Sequence, residues 1–437
     1  FVMLIPAQRL LWFCWLSLIL AVGVSLDSSL LKTAGIASAV FLSIIMIDGL
    51  ILLRRQLPTL QRHCTHSMAL GIKTVVVIRL HNSTLGHMQL VCHDNLPDVL
   101  QTRQLPQSCT IAAGTWAELS YEVLPTRRGE YAFAQVQGRL SSRLGFWWRQ
   151  WSQNIPQTVR VYPDFKALTR YALLATDHRL SQIGVLRRRR RGSGSDFRQL
   201  REYREGDAQR QIDWKATSRL RKLISREYQD ERDQQIVFLL DCGRKMSTQD
   251  GDLSHLDHTL NAALLLSYVA IRQGDAVGLM TMSGPERWLA PRKTTDTIHQ
   301  LLNQVFDLQP SFKTSDYRQT AQRLMQHLKK RALVVILTNL RDEDDEALSE
   351  AVTVLQRHHL VLVASLRENF LTQTITRPVD NLDQALLHAA AADYLQRRQR
   401  ARDLLQARRV LCVEEEPERL AMALVNGYID LKRSGRL

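Results

Sequence analysis

The chain has 437 residues, with 58 Lys and Arg against 43 Asp and Glu, a net charge of +15. At about 150 residues per domain, this length accommodates two to three domains. With 45% hydrophobic and 23% charged residues, the composition excludes a disordered chain, a collagen-like repeat and a polytopic transporter. Cys14, Cys64, Cys92, Cys109, Cys242 and Cys412 are scattered without a CxxC pair. That excludes a disulfide scaffold and a zinc ribbon, and it fits a reducing, cytosol-facing compartment.

The first segment is apolar. Leu10–Leu26 holds no charged residue, and after the polar break Asp27–Lys32 the stretch Thr33–Leu53 is again apolar except for Asp48. A bilayer core needs about 20 helical residues, so two such segments predict a transmembrane α-hairpin. Arg9 precedes the first and Arg54, Arg55 and Arg62 follow the second, which places both ends and the rest of the chain in the cytoplasm by the positive-inside rule. A cleaved secretory signal is the rival reading, weakened by the second apolar span and the lack of a small-x-small cleavage site. Asp48 is expected to snorkel or to pair with Arg54 or Arg55, or else to make a polar contact between helices.

Residues 57–71 read as a linker. From Ile72 to Pro163, short alternating runs such as TVVVIRLHN and HMQLVCHD, separated by turn residues, predict a β-sandwich-like domain over 72–165. The aromatic run Phe146-Trp147-Trp148-Arg149-Gln150-Trp151 reads first as core or packed edge, with a membrane-interface role open. From Gln235 the pattern becomes unbroken Val/Ile/Leu runs (Ile236–Asp241, Ala276–Met282, Ala332–Thr338, Leu360–Leu366, Val410–Val413) alternating with helices. This predicts a C-terminal α/β domain over 235–437 with a mainly parallel sheet covered on both faces. Ligands of such sheets sit beyond the carboxyl ends of the strands, here Asp241-Cys242-Gly243, Ser283-Gly284 and Thr338-Asn339-Leu340.

Residues 166–234 hold an ordered composite signature. Gly192-Ser193-Gly194 is followed by Asp196-Phe197, Leu200-Arg201-Glu202-Tyr203, Gly206-Asp207, Arg210-x-Ile212-Asp213-Trp214-Lys215-Ala216 and Arg226-Glu227-Tyr228. With Arg127-Arg128-Gly129-Glu130-Tyr131 and Leu144-Gly145 upstream and Leu431-Lys432 downstream, the chain closely resembles the bacterial family called domain of unknown function 58. The resemblance implies a multi-domain, membrane-anchored protein with a von Willebrand factor A-like α/β domain, found in company with MoxR-type AAA+ ATPases. It implies no catalytic activity.

Within the signature, Arg187, Arg188, Arg189, Arg190 and Arg191 form a basic run suited to anionic lipid, an acidic partner face or phosphates. A solvated linker is the plain alternative, and nucleic acid the least favoured ligand. The acids that follow make the segment charge-mixed, as interfaces are. Asp207 reads as a turn residue open to hydrogen bonds, Trp214 as a packed anchor, and Asp207, Arg210, Asp213 and Trp214 as binding residues. Gly192-Ser193-Gly194 lacks the Lys-Ser/Thr ending of a phosphate loop.

Von Willebrand A domains bind a divalent cation through Asp-x-Ser-x-Ser, a Thr and an Asp, all oxygen donors. Here Asp241 matches, but Gly243 and Lys245 replace the serines and Asn339 the acid, leaving Thr314 or Ser315 to supply a hydroxyl. The site reads as degenerate, with no metal or other cofactor expected and with the Lys245 ammonium in place of the cation. Lys245 pointing into solvent is the competing reading. The acids Glu343–Asp345 and Glu414–Glu416 read as helix starts, and His63-Cys64-Thr65-His66 as incidental. No GxSxG or HExxH occurs. The expectation is a non-enzymatic interaction module on the bacterial inner membrane, with an AAA+ ATPase and a second copy of the chain as candidate partners. A metal-dependent hydrolase at the sheet edge, or an anionic-lipid or nucleic-acid binder through the arginine run, are the alternatives.

Overall fold

The computed structural model describes residues 3–26, 31–164, 196–204, 209–229, 234–341 and 345–437. The chain divides into two compact units, Phe1–Val161 and Tyr162–Leu437. The arginine run Arg187–Arg191 and Asp207 lie outside the described residues.

The first unit opens with strand β1 (Met3–Pro6) and helices α1 (Gln8–Leu26) and α2 (Leu31–Arg54). Among the described residues one stretch, Gly35–Arg54 of α2, is long and apolar enough to cross a membrane. One candidate span is found where two were expected, and by length and composition it suits an anchor or a signal sequence alike. Helix α2 has one buried face, Ile45, Asp48, Gly49 and Leu52, while Leu42, Ile44, Ile47, Leu50 and Ile51 remain exposed.

The stretch expected to be a linker instead supplies β2 (Thr59–His63) and β3 (Ser67–Ala69). There follow β4 (Thr74–His81), β5 (Met88–Asp94), β6 (Leu100–Gln101), β7 (Gln107–Ile111), β8 (Trp116–Pro125), β9 (Gly129–Ser141) and β10 (Trp147–Tyr162). One antiparallel sheet runs β1-β10-β9-β5-β7, with β3 also on β10; a second runs β2-β4-β8-β6. Alternation sets which side chains go in: Val76, Ile78 and Leu80 of β4 are buried and Arg79 between them is not. The long β10 is interrupted where its pairing shifts between Asn154 and Gln157, at Pro156, which has no amide hydrogen to donate.

A buried ion pair ties the two sheets. Arg62 of β2 donates from Nη2 and Nε to the Asp94 carboxylate of β5 at 2.6 and 2.9 Å, and Tyr121 of β8 donates to the same carboxylate at 2.6 Å. Both charged side chains are fully inaccessible, so the bidentate geometry and the phenol must together offset a large desolvation cost.

The second unit begins its described residues with β11 (Asp196–Glu202), α3 (Trp214–Leu220) and β12 (Ile224–Gln229), β11 and β12 pairing antiparallel. Its larger sheet has β13 (Gln235–Asp241), flanked in sequence by the two-residue strands β14 (Gln249–Asp250) and β15 (Leu253–Ser254), then β16 (Ala276–Met282), β17 (Trp288–Arg292), β18 (Leu333–Thr338), β19 (Leu360–Leu366) and β20 (Leu411–Glu415). The order is β17-β16-β13-β18-β19-β20. The sheet is mixed: the pairs from β16 to β20 are parallel, and the edge strand β17, which the sequence reading did not foresee, runs antiparallel to β16.

Helices α4 (His255–Arg272) and α10 (Pro417–Arg433) cover one face with Ile236, Phe238 and Leu240, while α6 (Tyr317–His327) and α7 (Asp345–Gln356) cover the other with Val237 and Leu239. Between them in the chain are α5 (Asp296–Val305), α8 (Asn369–Thr376) and α9 (Leu382–Ala407). Burial of alternate residues of one strand in two separate cores is why these strands lack a polar face. The closing residue Lys432 of α10 is structural: its Nζ donates to buried Asp275 at 2.6 Å, beside the Tyr428 hydroxyl.

Candidate functional site

Strand β13 is flanked by β16 on one side and β18 on the other, so the chain reverses direction across it. The crevice beyond the carboxyl ends at such a reversal is where α/β sheets place ligands. Asp241 ends β13 and Thr338 ends β18, and the two meet there, both fully buried.

Among the described residues, four groups donate to the Asp241 carboxylate. Oδ1 accepts from the Gly243 amide at 2.8 Å and the Ser315 hydroxyl at 2.6 Å. Oδ2 accepts from Thr338 at 2.7 Å and the Tyr317 hydroxyl at 3.3 Å. The Lys245 ammonium donates to the Tyr317 hydroxyl at 2.8 Å and lies 3.9 Å from Asp241 Oδ2. Lys245 is only 7% exposed, so it does not point into solvent. Lys245 donates to Tyr317, and Tyr317 and Thr338 donate to the carboxylate, so the ammonium brings its positive charge near Asp241.

Local sequence accounts for each position. Gly243 has no side chain because a Cβ there would lie 2.7 Å from Ser315 Oγ; the serine expected at this position would displace the one that reaches Asp241. Lys245 sits on the helical turn Arg244–Ser247. Asp316 caps α6, its carboxylate accepting from the Gln319 amide at 2.9 Å, and that cap sets Tyr317 on the first turn facing the sheet. Ser315 supplies the hydroxyl; Thr314, the other candidate, is exposed. Tyr317 and Thr338 were missed as partners. The signal for Tyr317 was the Ser-Asp-Tyr start of a helix entering at the sheet edge.

Asn339 belongs to a second polar network. Its Oδ1 accepts from Arg398 Nη1 at 3.0 Å and its Nδ2 donates to Glu368 at 2.9 Å, with His255 Nδ1 at 3.3 Å. Arg398, 2% exposed, also donates to Glu414 at 2.6 Å, to Ser365 Oγ at 2.8 Å and to the Leu366 carbonyl. Glu414 lies within β20 and pairs with Arg398 and Arg402, correcting its reading as a helix-start acid. Burial, only partly opposed by Glu368, pushes the His255 pKa down to about 4. Helix α4 brings His255 to this network through a capping box of Ser254 and Asp257.

In the signature segment, Asp213 is the N-cap of α3, accepting from the Ala216 amide at 3.0 Å and from Arg226 Nε at 2.9 Å. Those two bonds, the amide first, hold its pKa below the usual carboxylate value. Arg210 lies on the turn Gln209–Gln211. Trp214 is not a packed anchor: it is 68% exposed, as are Leu220 by 51%, Leu223 by 49% and Leu200 by 42%. It stands on the first turn of α3, right after the cap.

Elsewhere, Asp48 pairs with neither arginine; its Oδ1 accepts from the Leu144 amide at 3.3 Å. The aromatic run is largely packed: Phe146 and Trp151 are buried and Trp147 Nε1 donates to the Ile45 carbonyl at 3.0 Å. Arg149 donates to the carbonyls of Leu52, Leu53 and Arg55 at 3.2, 3.0 and 2.7 Å, satisfying the C-terminal end of α2. His63, Cys64 and His66 line a cavity of about 460 Å³ with Arg62 and Gln157. Among the described residues no three His, Cys, Asp or Glu side chains converge as metal ligands. All six cysteines are free, and burial pushes Cys92 up to about 12 and Cys412 to about 11, which makes them poor nucleophiles.

Residues 199–378 match the family model described as "Protein of unknown function DUF58", which supports the family resemblance over that part of the chain. No curated protein matches. Among solved structures, similarity is found to Salmonella alpha-2-macroglobulin reacted with methylamine, at 19% identity over 24% of this chain and 7% of that one, with a TM-score of 0.19. A FixG-related protein from Vibrio parahaemolyticus matches at 7% identity, covering 24% of this chain and 97% of that one, with a TM-score of 0.19. A CARDB domain from Pyrococcus furiosus matches at 10% identity, covering 24% and 96%, with a TM-score of 0.16. At these scores the likenesses carry no argument about function.

Proposed function

We propose that the chain is a membrane-anchored, non-enzymatic interaction module whose partner is an AAA+ ATPase of the MoxR type, acting in the assembly or maturation of membrane or envelope complexes. The apolar segment over α1 and α2 serves as a two-span hairpin in the bacterial inner membrane, with the rest of the chain on the cytoplasmic side, and the second unit is a von Willebrand factor A-like domain. The observation that carries the reading is Trp214, 68% exposed on α3 with Leu220 and Leu223 also exposed nearby in sequence, all inside the family-matched region. Exposed aromatic and aliphatic side chains on a short, capped helix are what a partner buries as binding anchors. The Asp241 site supports the same reading, because its carboxylate accepts from an amide and three hydroxyls with the Lys245 ammonium nearby, a set that leaves it little to offer a substrate or cation.

A photo-cross-linker at position 214 of the full chain in its native membrane tests this. The expected product is an adduct with an AAA+ ATPase, and Trp214→Ala should lower ATPase co-purification by about tenfold, the scale of an interface hot spot. Absence of an ATPase adduct would overturn the partner. Turnover on an ester or phosphate panel that Asp241→Ala abolishes would replace this reading with the hydrolase.

A further inference from the structure

We infer that Arg54, Arg55 and Arg143 form a binding site for the phosphate of an anionic phospholipid headgroup at the C-terminal end of α2. The inference rests on the membrane-anchor reading above, and it concerns a site distinct from the Arg187–Arg191 run.

The three arginines line one cavity of about 240 Å³ together with Ile51, Thr84, Leu85 and Gly86. Arg54 and Arg55 come from the end of α2 and Arg143 from the turn between β9 and β10, while the loop after β4 supplies Thr84, Leu85 and Gly86. Arg55 is held in place, its Nη2 donating to the carbonyls of His87 at 2.5 Å and Gly86 at 3.3 Å. Arg143 comes to the same point: a Cβ on Gly86 would lie 3.4 Å from Arg143 Nη2 and 4.0 Å from Arg55 Nη2. The bare glycine therefore leaves the space between two guanidinium groups open.

Among the described residues no carboxylate pairs with Arg54, Arg55 or Arg143. Two guanidinium groups held side by side without a counter-charge repel each other, and burial together with the Arg143 charge lowers the Arg55 pKa. A phosphodiester relieves that repulsion and matches the planar fork of each group with paired oxygens. Its position favours a lipid over a soluble anion. Arg54 ends the apolar span and Arg55 directly follows it, and the rim carries Ile51, 48% exposed, and Leu85, fully exposed. A headgroup site needs this juxtaposition of cationic centre and apolar edge; a site for free phosphate has no use for the edge.

The full chain in neutral detergent, analysed by native mass spectrometry with added phosphatidylglycerol, phosphatidylcholine or inorganic phosphate, tests the inference. One phosphatidylglycerol should be retained in at least tenfold preference to phosphatidylcholine, and Arg143→Gln or Arg54→Gln should reduce its retention about tenfold, with partial rescue by Arg143→Lys. Both residues are exposed, so these variants keep the fold. Equal retention of the two lipids, or unchanged retention in both variants, would overturn the site. Displacement of the lipid by inorganic phosphate at equal concentration would also overturn it, by making this a soluble-anion site. Flotation with pure phosphatidylcholine vesicles reads the anchor separately: a chain that fails to float but retains phosphatidylglycerol through Arg143 loses the anchor and keeps the site, and one that floats without selective retention does the reverse.

Discussion

Lys245 Nζ lies 3.9 Å from Asp241 Oδ2, with both side chains withdrawn from solvent at the carboxyl end of β13. The lysine holds its charge there through Tyr317, whose hydroxyl it meets at 2.8 Å. Removing one member of a buried pair costs about 3–5 kcal/mol, and the hydroxyls left on Asp241 soften that. Lys245→Met is therefore expected to destabilise the second unit by about 2–4 kcal/mol, with partial recovery in Lys245→Met/Asp241→Asn. Denaturation of the full chain, followed by hydrogen exchange at β13, checks this; equal protection in Lys245→Met would show that the pair contributes nothing.

The same geometry predicts the response to cations. A ligand that binds only the folded state raises the unfolding midpoint by mass action. With Asp241 saturated by internal donors, millimolar Mg²⁺ or Mn²⁺ should leave the midpoint of the wild type where it is. An upward shift that Asp241→Ala abolishes would contradict the account of the site.

His255 supplies a pH dependence. Its ordinary pKa is near 6.5 and the folded value is about 4, so between these values the unfolded chain binds the extra proton. Stability is then fully present above about pH 6.5 and falls as the pH drops toward 4, by about 3 kcal/mol in total. Below that both states are protonated and this contribution stops changing. Denaturation midpoints from pH 7 to 4 should show the slope in the wild type and a shallower one in His255→Gln.

Arg398 joins β18, β19 and β20 through Asn339, Ser365, the Leu366 carbonyl and Glu414. Arg398→Met keeps much of the side-chain volume but leaves Glu414 with Arg402 alone. The expected loss is about 3–5 kcal/mol, largest in the exchange protection of β20, because that strand is at the sheet edge. Uniform loss across the sheet would mean that Arg398 does not act by tying the edge.

In the first unit, Tyr121→Phe removes one donor to the buried Asp94 carboxylate. A hydrogen bond to a charged group contributes about 1.5–3 kcal/mol, and burial together with the Asp94 charge raises the Tyr121 pKa far above the ordinary phenol value. The variant should lower the stability of the first unit by about 1.5–3 kcal/mol, read by thermal denaturation as a lower midpoint, and leave exchange in β13 unchanged.

Periodicity made much of the second unit legible. The runs Ala276–Met282 and Leu360–Leu366 are strands with those limits, and helices alternate with the strands as their patterns required. Two-residue alternation and unbroken apolar runs are local properties, imposed by the face each residue presents. The edge strand Trp288–Arg292 was not legible, because its five residues show no polar/apolar alternation, Pro291 argues against a strand, and its place depends on pairing with β16. The linker assignment of 57–71 failed for a similar reason: Thr59–His63 has a single apolar residue, Leu60, and becomes a strand through its register with β4.

Of the candidate site, sequence alone determined Asp241 at the end of a strand, Gly243 and Lys245 on the loop that follows it, and Thr314 or Ser315 as candidate hydroxyls. Tertiary structure decided that Lys245 turns inward, that Tyr317 and Thr338 complete the carboxylate's partners, that Asn339 serves another network and that Trp214 stands exposed. Each of these depends on which strand ends and helix starts meet across the sheet, and residues as far apart as 241 and 338 carry no mark of that meeting in their neighbours. A buried charge needs its partners in three dimensions; the chain's order sets only where a charge begins.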